Sequence, residues 1–261
     1  VRRGAAEDDP LPLVEAGLRT ACAQVGAIGS LGGFELFRIA REHPFLRSIA
    51  LPMGDPPDWR AELDVLVRAA AALDLVPRIE LLVERRAGLR AALAHAGWLR
   101  TLSVPVLVIR PTEEPPTDPS ALRLGRETPD DLLVATLAAQ HAILGASPPS
   151  PAECASLRDC LGDGGVRTWV RLDETGRPVA AVSLLGGPPA VELAGLWTAP
   201  ERRRTGLARG LANTALAHAA EAGVELVWAG AASRASEALL RGLGMVAAGT
   251  LESWERPAAW P

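Results

Sequence analysis

The chain of 261 residues contains no lysine, no tyrosine and a single asparagine, Asn213; all 27 basic residues are arginine. Without lysine there is no Schiff-base nucleophile of the pyridoxal-phosphate kind, and no phosphate loop ending Gly-Lys-Ser/Thr. Without tyrosine there is neither a phenolic nucleophile nor a phenolic general acid. Cysteine is scarce: Cys22, Cys154 and Cys160 are odd in number and form no Cys-x-x-Cys pair. They read as thiols in a reducing compartment, which makes a cytoplasmic protein the expectation. His43, His95, His141 and His218 are scattered without ligand spacing, so no metal is expected. The glycine-rich run 26–33 has the wrong spacing for a dinucleotide fingerprint and reads as a loop before a strand. No Gly-x-Ser-x-Gly elbow is present.

Positive charge is in deficit, with 27 arginines against 31 acids and a net charge of −4. A chain of that balance is not expected to bind nucleic acid, which requires phosphate neutralisation. Long apolar runs are missing too: arginine or acid interrupts each one before the roughly 20 residues of a membrane span. Val1-Arg2-Arg3-Gly4 is not followed by an apolar stretch of signal-peptide type. Nonetheless 48% of the chain is apolar, ample for a packed core and too much for disorder.

The clearest interruption is 110–119, with four prolines in ten residues and no apolar period. It reads as a linker between two halves. After it, apolar patterning predicts a strand at 121–127 and helices at 129–144 and 150–161. A hairpin at 166–172 and 178–185 turns around Asp173-Glu174-Thr175-Gly176-Arg177. Then come a strand at 191–198, a helix at 206–222, a strand at 224–230, a helix at 235–243 ended by Gly244, and a strand at 246–256. The first half echoes the second at an offset of 147 residues. That shift lays 79–83 on 226–230, 93–98 on 240–245, and the helical stretch 58–73 on 205–220. Strand, helix, strand and helix stay in step, which points to duplication of an α/β unit built on a mixed sheet.

The run most suited to chemistry is 191–211. An apolar strand meets a proline-bearing turn, an arginine-rich loop with Gly206, and an alanine-rich helix. A helix start offers free backbone N–H groups and the positive end of its dipole. Gly206 and the small Ala208 let a bulky anion approach those amides. Arg202, Arg203, Arg204 and Arg209 add four positive charges within eight residues. Such local electrostatics suit a polyphosphate.

Arg203-Arg204-Thr205-Gly206-Leu207-Ala208 resembles the Gln/Arg-x-x-Gly-x-Gly/Ala signature of the GNAT N-acetyltransferase superfamily, in its proper context between the fourth strand and the third helix. Ser233 to Met245 resembles the later Asn-x-x-Ala-x-x-Leu-Tyr-x-x-x-Gly-Phe motif, with Ser233 at the asparagine position and Leu240 at the tyrosine. The direct resemblance covers about 120–256; the first half joins through the internal echo, as in tandem GNAT proteins. The resemblance implies two GNAT-like halves. Residues 1–115 would be a degenerate domain and 120–261 a complete catalytic domain binding acetyl-coenzyme A.

It further implies that main-chain groups of Leu196, Trp197 and Thr198 pair with the pantetheine arm in a wedge between the strands 191–198 and 224–230. The pyrophosphate would sit on the amides of Arg203, Arg204, Thr205, Gly206, Leu207 and Ala208, with Arg202 or Arg209 reaching the 3′-phosphate. In the first half the shift sets Trp59 against Gly206 and Pro56-Pro57 against Arg203-Arg204, beside Asp55 and Asp58. That half is not expected to hold coenzyme A; it pads the sheet and helps wall the acceptor site. The other walls are expected from 144–165 and 247–250.

Acetyl transfer to an amine needs the free base. At pH 7 an amine of pKa about 10.4 is only ~0.04% neutral, a cost near 4.6 kcal/mol. Glu192, on the strand leading to the loop and at a position where some family members carry a glutamate base, is the candidate to accept the proton. Its alternative is a solubilising charge on an exposed strand edge. Simple alternation puts Glu192, Ala194, Leu196 and Thr198 on one face. Ser233 either hydrogen-bonds the cofactor or thiol, caps the helix that follows, or does both. The expected activity is acetyl transfer to a primary amine of a small-molecule, peptide or protein substrate, by a monomer or homodimer. A non-catalytic acyl-coenzyme A sensor is the alternative, since Leu240 replaces the tyrosine.

Overall fold

The computed structural model describes residues 9–24, 26, 29–38, 48–112, 117–162 and 165–256. The amino-terminal tetrapeptide, His43, part of the glycine-rich run and residues 113–116 of the proline-rich linker lie outside them.

The second half follows the sequence pattern closely. It runs β6 (Leu122–Leu124), α4 (Asp130–Leu144), α5 (Pro151–Gly162), β7 (Val166–Leu172), β8 (Pro178–Gly187), β9 (Ala190–Thr198), α6 (Leu207–Glu221), β10 (Leu226–Gly230), α7 (Arg234–Gly242) and β11 (Val246–Glu255). The first half comprises α1 (Leu11–Ala23), β1 (Gly29–Leu31), β2 (Phe34–Arg38), β3 (Ser48–Pro52), α2 (Trp59–Ala72), β4 (Arg78–Leu82), α3 (Ala87–His95) and β5 (Leu99–Ile109). The 147-residue offset carries α3 onto α7 end to end and the first residue of β5 onto the first of β11.

Among the described residues all eleven strands join one mixed sheet, in the order β1-β2-β3-β4-β11-β5-β10-β9-β8-β7-β6. That order does not break at the linker. β5 of the first half lies beside β10 of the second, while β11 lies beside β4, so each half places its last strand against the other's sheet. β5 and β11 themselves form the long antiparallel seam at the centre. Only β3–β4 and β9–β10 are parallel, as a duplicated unit requires.

Helices cover both faces. The α6 and α7 side is packed by Leu211, Ala215 and Leu240 on Val182, Val191, Leu193 and Val227. On the other side α4 and α5 press Leu133 and Leu161 against Val170 and Trp197. Next to them α1, a first-half helix, crosses onto the second half's strands with Val14, Leu18 and Cys22 against Ala190, Leu226 and Trp228. Gly17 permits this approach: a Cβ there would stand 2.9 Å from the Ala190 carbonyl oxygen. Glu15 anchors α1 by pairing with Arg85 at 3.0 Å and with buried Arg86 at 3.2 Å.

One buried carboxylate ties the seam to the first half. Glu252 on β11 accepts from Arg90 of α3, Arg100 of β5 and the Trp254 indole, each at 3.0 Å. Burial pushes its carboxyl up, but those three hydrogen bonds more than offset it and hold the group below the ordinary carboxylate range. A carboxylate so depressed stabilises the fold above its unfolded value, and the gain vanishes as pH falls through its folded value. Glu252→Gln should therefore cost about 2 kcal/mol in urea unfolding at neutral pH. The difference from wild type should close in acid.

Candidate active site

The loop and helix start singled out in the sequence are shaped by backbone rather than side-chain caps. After β9 the chain makes a single 3₁₀ turn, Pro200–Arg202, and the Thr205 hydroxyl donates to the Arg202 carbonyl at 2.6 Å. Arg204 and Gly206 then adopt left-handed φ values of 64° and 88°. Gly206 is the N-cap of α6 and supplies no side-chain hydrogen bond, so the first amides of α6 stay open. A Cβ on Gly206 would meet no atom within 4 Å. Space therefore lies in front of that helix end, and a β-carbon there would be strained by its φ rather than by crowding.

A cleft of about 830 Å³ opens beside this helix start. Glu192, Leu196, Trp197, Thr198, Arg202, Arg203, Arg204, Gly206, Leu207, Ala208, Arg209 and Ser233 all border it. Thr205 does not; its side chain is spent on closing the turn. Arg203 leans back to the Thr198 carbonyl at 3.4 Å, and Arg209 reaches over Gly242 at the end of α7. Ser233 caps α7 in a reciprocal box, accepting from the Ser236 amide at 3.1 Å while its own amide donates to the Ser236 hydroxyl at 2.9 Å. It also reaches the cleft wall, so the two roles weighed for it share one place. Leu240 lies buried in the same wall, with no hydroxyl to offer.

The expected wedge is present. Parallel pairing of β9 and β10 runs through Ala190–Leu226 and Val191–Val227 to Glu192–Trp228, and ends there although both strands continue. Beyond Glu192 the strands part and the cleft enters between them, with Ala229 and Gly230 on its far side. β9 is also irregular against β8: Ser183 faces Ala194 but Ala181 faces Trp197, so Gly195 and Leu196 share one step. Gly195 sits at φ 59° in this bulge. The bulge overturns simple alternation. Leu196 packs toward the α6 side while Trp197 turns to α4 and α5. Glu192 keeps the parity of Ala190 and faces the α1 and α4 side, so it does not point the same way as Leu196.

Glu192 borders open cleft space, yet it is ringed by protein. Burial, with a smaller push from the Glu80 carboxylate, raises its carboxyl to about 8. At neutral pH it is therefore mostly protonated, and a charge buried in this way is not the solubilising edge residue of the alternative reading. The indole N–H of Trp228, its register neighbour, is buried without a partner, as is the Thr198 hydroxyl at the other end of the wedge.

Two α4 residues of this cleft carried no signal in the sequence, Gln140 and Ile143; their neighbour Leu144 opens the stretch expected as a wall. An amide on an alanine-rich helix has no motif spacing, and only the packing of α4 on β9 brings Gln140 beside Gly195, where its Nε2 would stand 3.7 Å from a Cβ. Of the stretch 144–165 expected as a wall, Leu144 borders the cleft. Ala247–Thr250 is instead part of β11 at the central seam, and no described first-half residue lines the cleft. Among the described residues no group of His, Cys, Asp and Glu is arranged to hold a metal. None of their helices is long and apolar enough to cross a membrane.

At the counterpart helix start of the first half, beside a cleft of about 790 Å³, the first amides are already taken. Asp58 caps α2 by accepting from the amides of Arg60 at 2.9 Å and Ala61 at 3.2 Å, and Trp59, in the place of Gly206, is buried against Phe34.

A mixed sheet parted at its parallel pair, with an uncapped glycine helix start at the opening, is the frame on which the comparisons with known proteins bear. Residues 136–245 match the acetyltransferase (GNAT) family, and over that span the chain is a GNAT domain. Solved structures agree on the fold along most of the chain. A GCN5-related N-acetyltransferase from Kribbella flavida is 22% identical over 95% of each chain, with a TM-score of 0.70. A tandem GNAT protein from the clavulanic acid biosynthesis pathway is 17% identical over 88% of this chain and 80% of its own, with a TM-score of 0.62. Another GCN5-related N-acetyltransferase, from Sphaerobacter thermophilus, is 13% identical over 86% and 76%, with a TM-score of 0.60. No curated protein matches the chain.

The raised carboxyl of Glu192 has a stability consequence. Between the ordinary carboxylate range and about 8, the folded chain holds a proton that the unfolded chain has lost, so stability falls as pH rises through that window. Glu192→Gln removes the penalty. In thermal melts the variant should exceed wild type by several degrees at about pH 9 and converge with it at about pH 4. Parallel pH dependence in the two proteins would contradict the burial assigned to Glu192.

Proposed function

We propose that the chain is a cytoplasmic N-acetyltransferase that moves an acetyl group from acetyl-coenzyme A to a primary amine, built from two repeats at 1–115 and 120–261 of which only the second binds the thioester. The observation that carries this reading is a single cleft holding both an open, arginine-flanked helix start and a carboxyl raised into the range of a useful base. The fit is chemical as well as spatial. The α6 amides and Arg202, Arg203, Arg204 and Arg209 complement a diphosphate, and the parted strands offer main chain at Leu196–Thr198 to an amide-bearing arm. Acetyl-coenzyme A, when bound, supplies an activated acyl group.

The chain's own residues then have two tasks. The α6 start and its arginines hold the anionic end. Glu192, as carboxylate, takes the proton that the amine nitrogen loses as its bond to the acyl carbon forms and the carbon–sulfur bond breaks. The departing thiolate collects a proton from solvent, since neither tyrosine nor a hydroxyl at Leu240 is there to supply one. A thiolate is a good leaving group, so this omission slows but does not forbid transfer.

Thiol release from acetyl-coenzyme A, followed across a panel of amines, tests the reading. Because the carboxylate is the active form, kcat/KM should climb as pH rises through about 8. Glu192→Gln should lower it by about 10²-fold and leave only the amine's own ionisation in the profile. Binding of the thioester with no release for any amine would contradict transfer and favour a sensor.

A further inference from the structure

The two walls of the cleft differ in chemistry, and the difference selects among amines. On the α6 and α7 wall stand the four arginines and Ser233. The opposite wall, onto which Glu192 faces, is made by Gln140, Ile143 and Leu144 of α4 together with Ala194 on β9. Leu144 is 58% exposed at the cleft, an apolar side chain presented to whatever enters rather than to the core. Glu192 is the one carboxylate among the described lining residues, and Gln140 the one neutral amide on its wall.

We propose, building on the acetyl-transfer reading above, that the acceptor is a singly charged primary amine with an apolar body. Glu192 and the Gln140 carbonyl oxygen receive the nitrogen's hydrogens, and the body lies along Ile143, Leu144 and Ala194. A second ammonium would have to rest on apolar side chains with no carboxylate to meet it, a desolvation that nothing on this wall repays. An α-carboxylate beside the nitrogen would stand against Glu192 and weaken binding by like-charge repulsion. Polyamines, aminoglycoside-like polycations and free amino acids are thereby disfavoured, and alkyl or arylalkyl monoamines favoured. The bonds exchanged are those of the parent reaction: the ammonium first gives one proton to solvent, then nitrogen to acyl carbon forms, carbon to sulfur breaks, a second proton passes from nitrogen to the Glu192 carboxylate, and the thiolate takes a proton from solvent.

The test uses the full chain, acetyl-coenzyme A and three amine sets: linear monoamines of increasing length, diamines of matched length, and amino acids. Each methylene laid on the apolar wall should raise kcat/KM about fourfold until the wall ends. A diamine should fall at least tenfold below the monoamine of equal length, with amino acids lower still. Leu144→Asp, which puts a carboxylate at the distal position, should raise the diamine-to-monoamine ratio, a readout indifferent to how much enzyme is folded. Flat dependence on chain length, diamines equal to or better than monoamines, or an unchanged ratio in Leu144→Asp overturns the acceptor class while leaving acetyl transfer intact. Bound acetyl-coenzyme A with no amine accepted overturns both, and is told apart by the absence of thiol release in every set.

Discussion

The site depends on a helix end left without a cap. At α6 the chain forgoes the side-chain hydrogen bond that helix starts usually take, a forfeit of only a few tenths of a kcal/mol with glycine at the cap, and keeps its first amides free. The first half makes the opposite choice at its helix start, where Asp58 occupies the amides of α2 and Trp59 stands in the place of Gly206. The two helix starts thus differ by what stands at one turn. At one start an acid satisfies the first amides; at the other a glycine at φ 88° beside a run of arginines leaves them open. The capped start gains stability, and the uncapped one keeps its amides available.

A similar exchange of stability for chemistry occurs at Glu192. Ringing a carboxyl with protein favours its neutral form, which costs the fold something at every pH above the ordinary carboxylate range. The same desolvation makes it a stronger base when it does ionise, the property that the proposed proton acceptor requires. The first half contributes indirectly. α1 lies on Ala190 and Trp228, and the negative charge of Glu80 adds to the pressure on Glu192, although no described first-half side chain borders the cleft. The exchanged strands β5 and β11 lock the halves into one sheet, so this environment is fixed by the whole chain rather than by the second half alone.

Much of this was legible in the residues. Helix α7 and its counterpart α3 keep register over nine residues because the 147-residue shift preserves their apolar positions and bordering turns. The cradle was legible because glycine, arginine and an alanine-rich helix in that order are local features. What escaped was non-local or one residue wide. Which antiparallel neighbour a strand selects has no local signature, so the placement of β5 between β11 and β10 was hidden. A bulge at Gly195 adds one residue to a period of two, and alternation read through it assigns Leu196 to the wrong side. Gln140 and Ile143 sit on a helix whose pattern shows burial but not what it packs against.

Calorimetric titration of coenzyme A into the full chain tests the open cradle most directly. One site per chain with micromolar affinity is expected, lost in Gly206→Glu, which gives α6 the acidic start that α2 already has. No measurable affinity in the unaltered chain, or equal affinity in the variant, would mean that the anion is not held at this helix end.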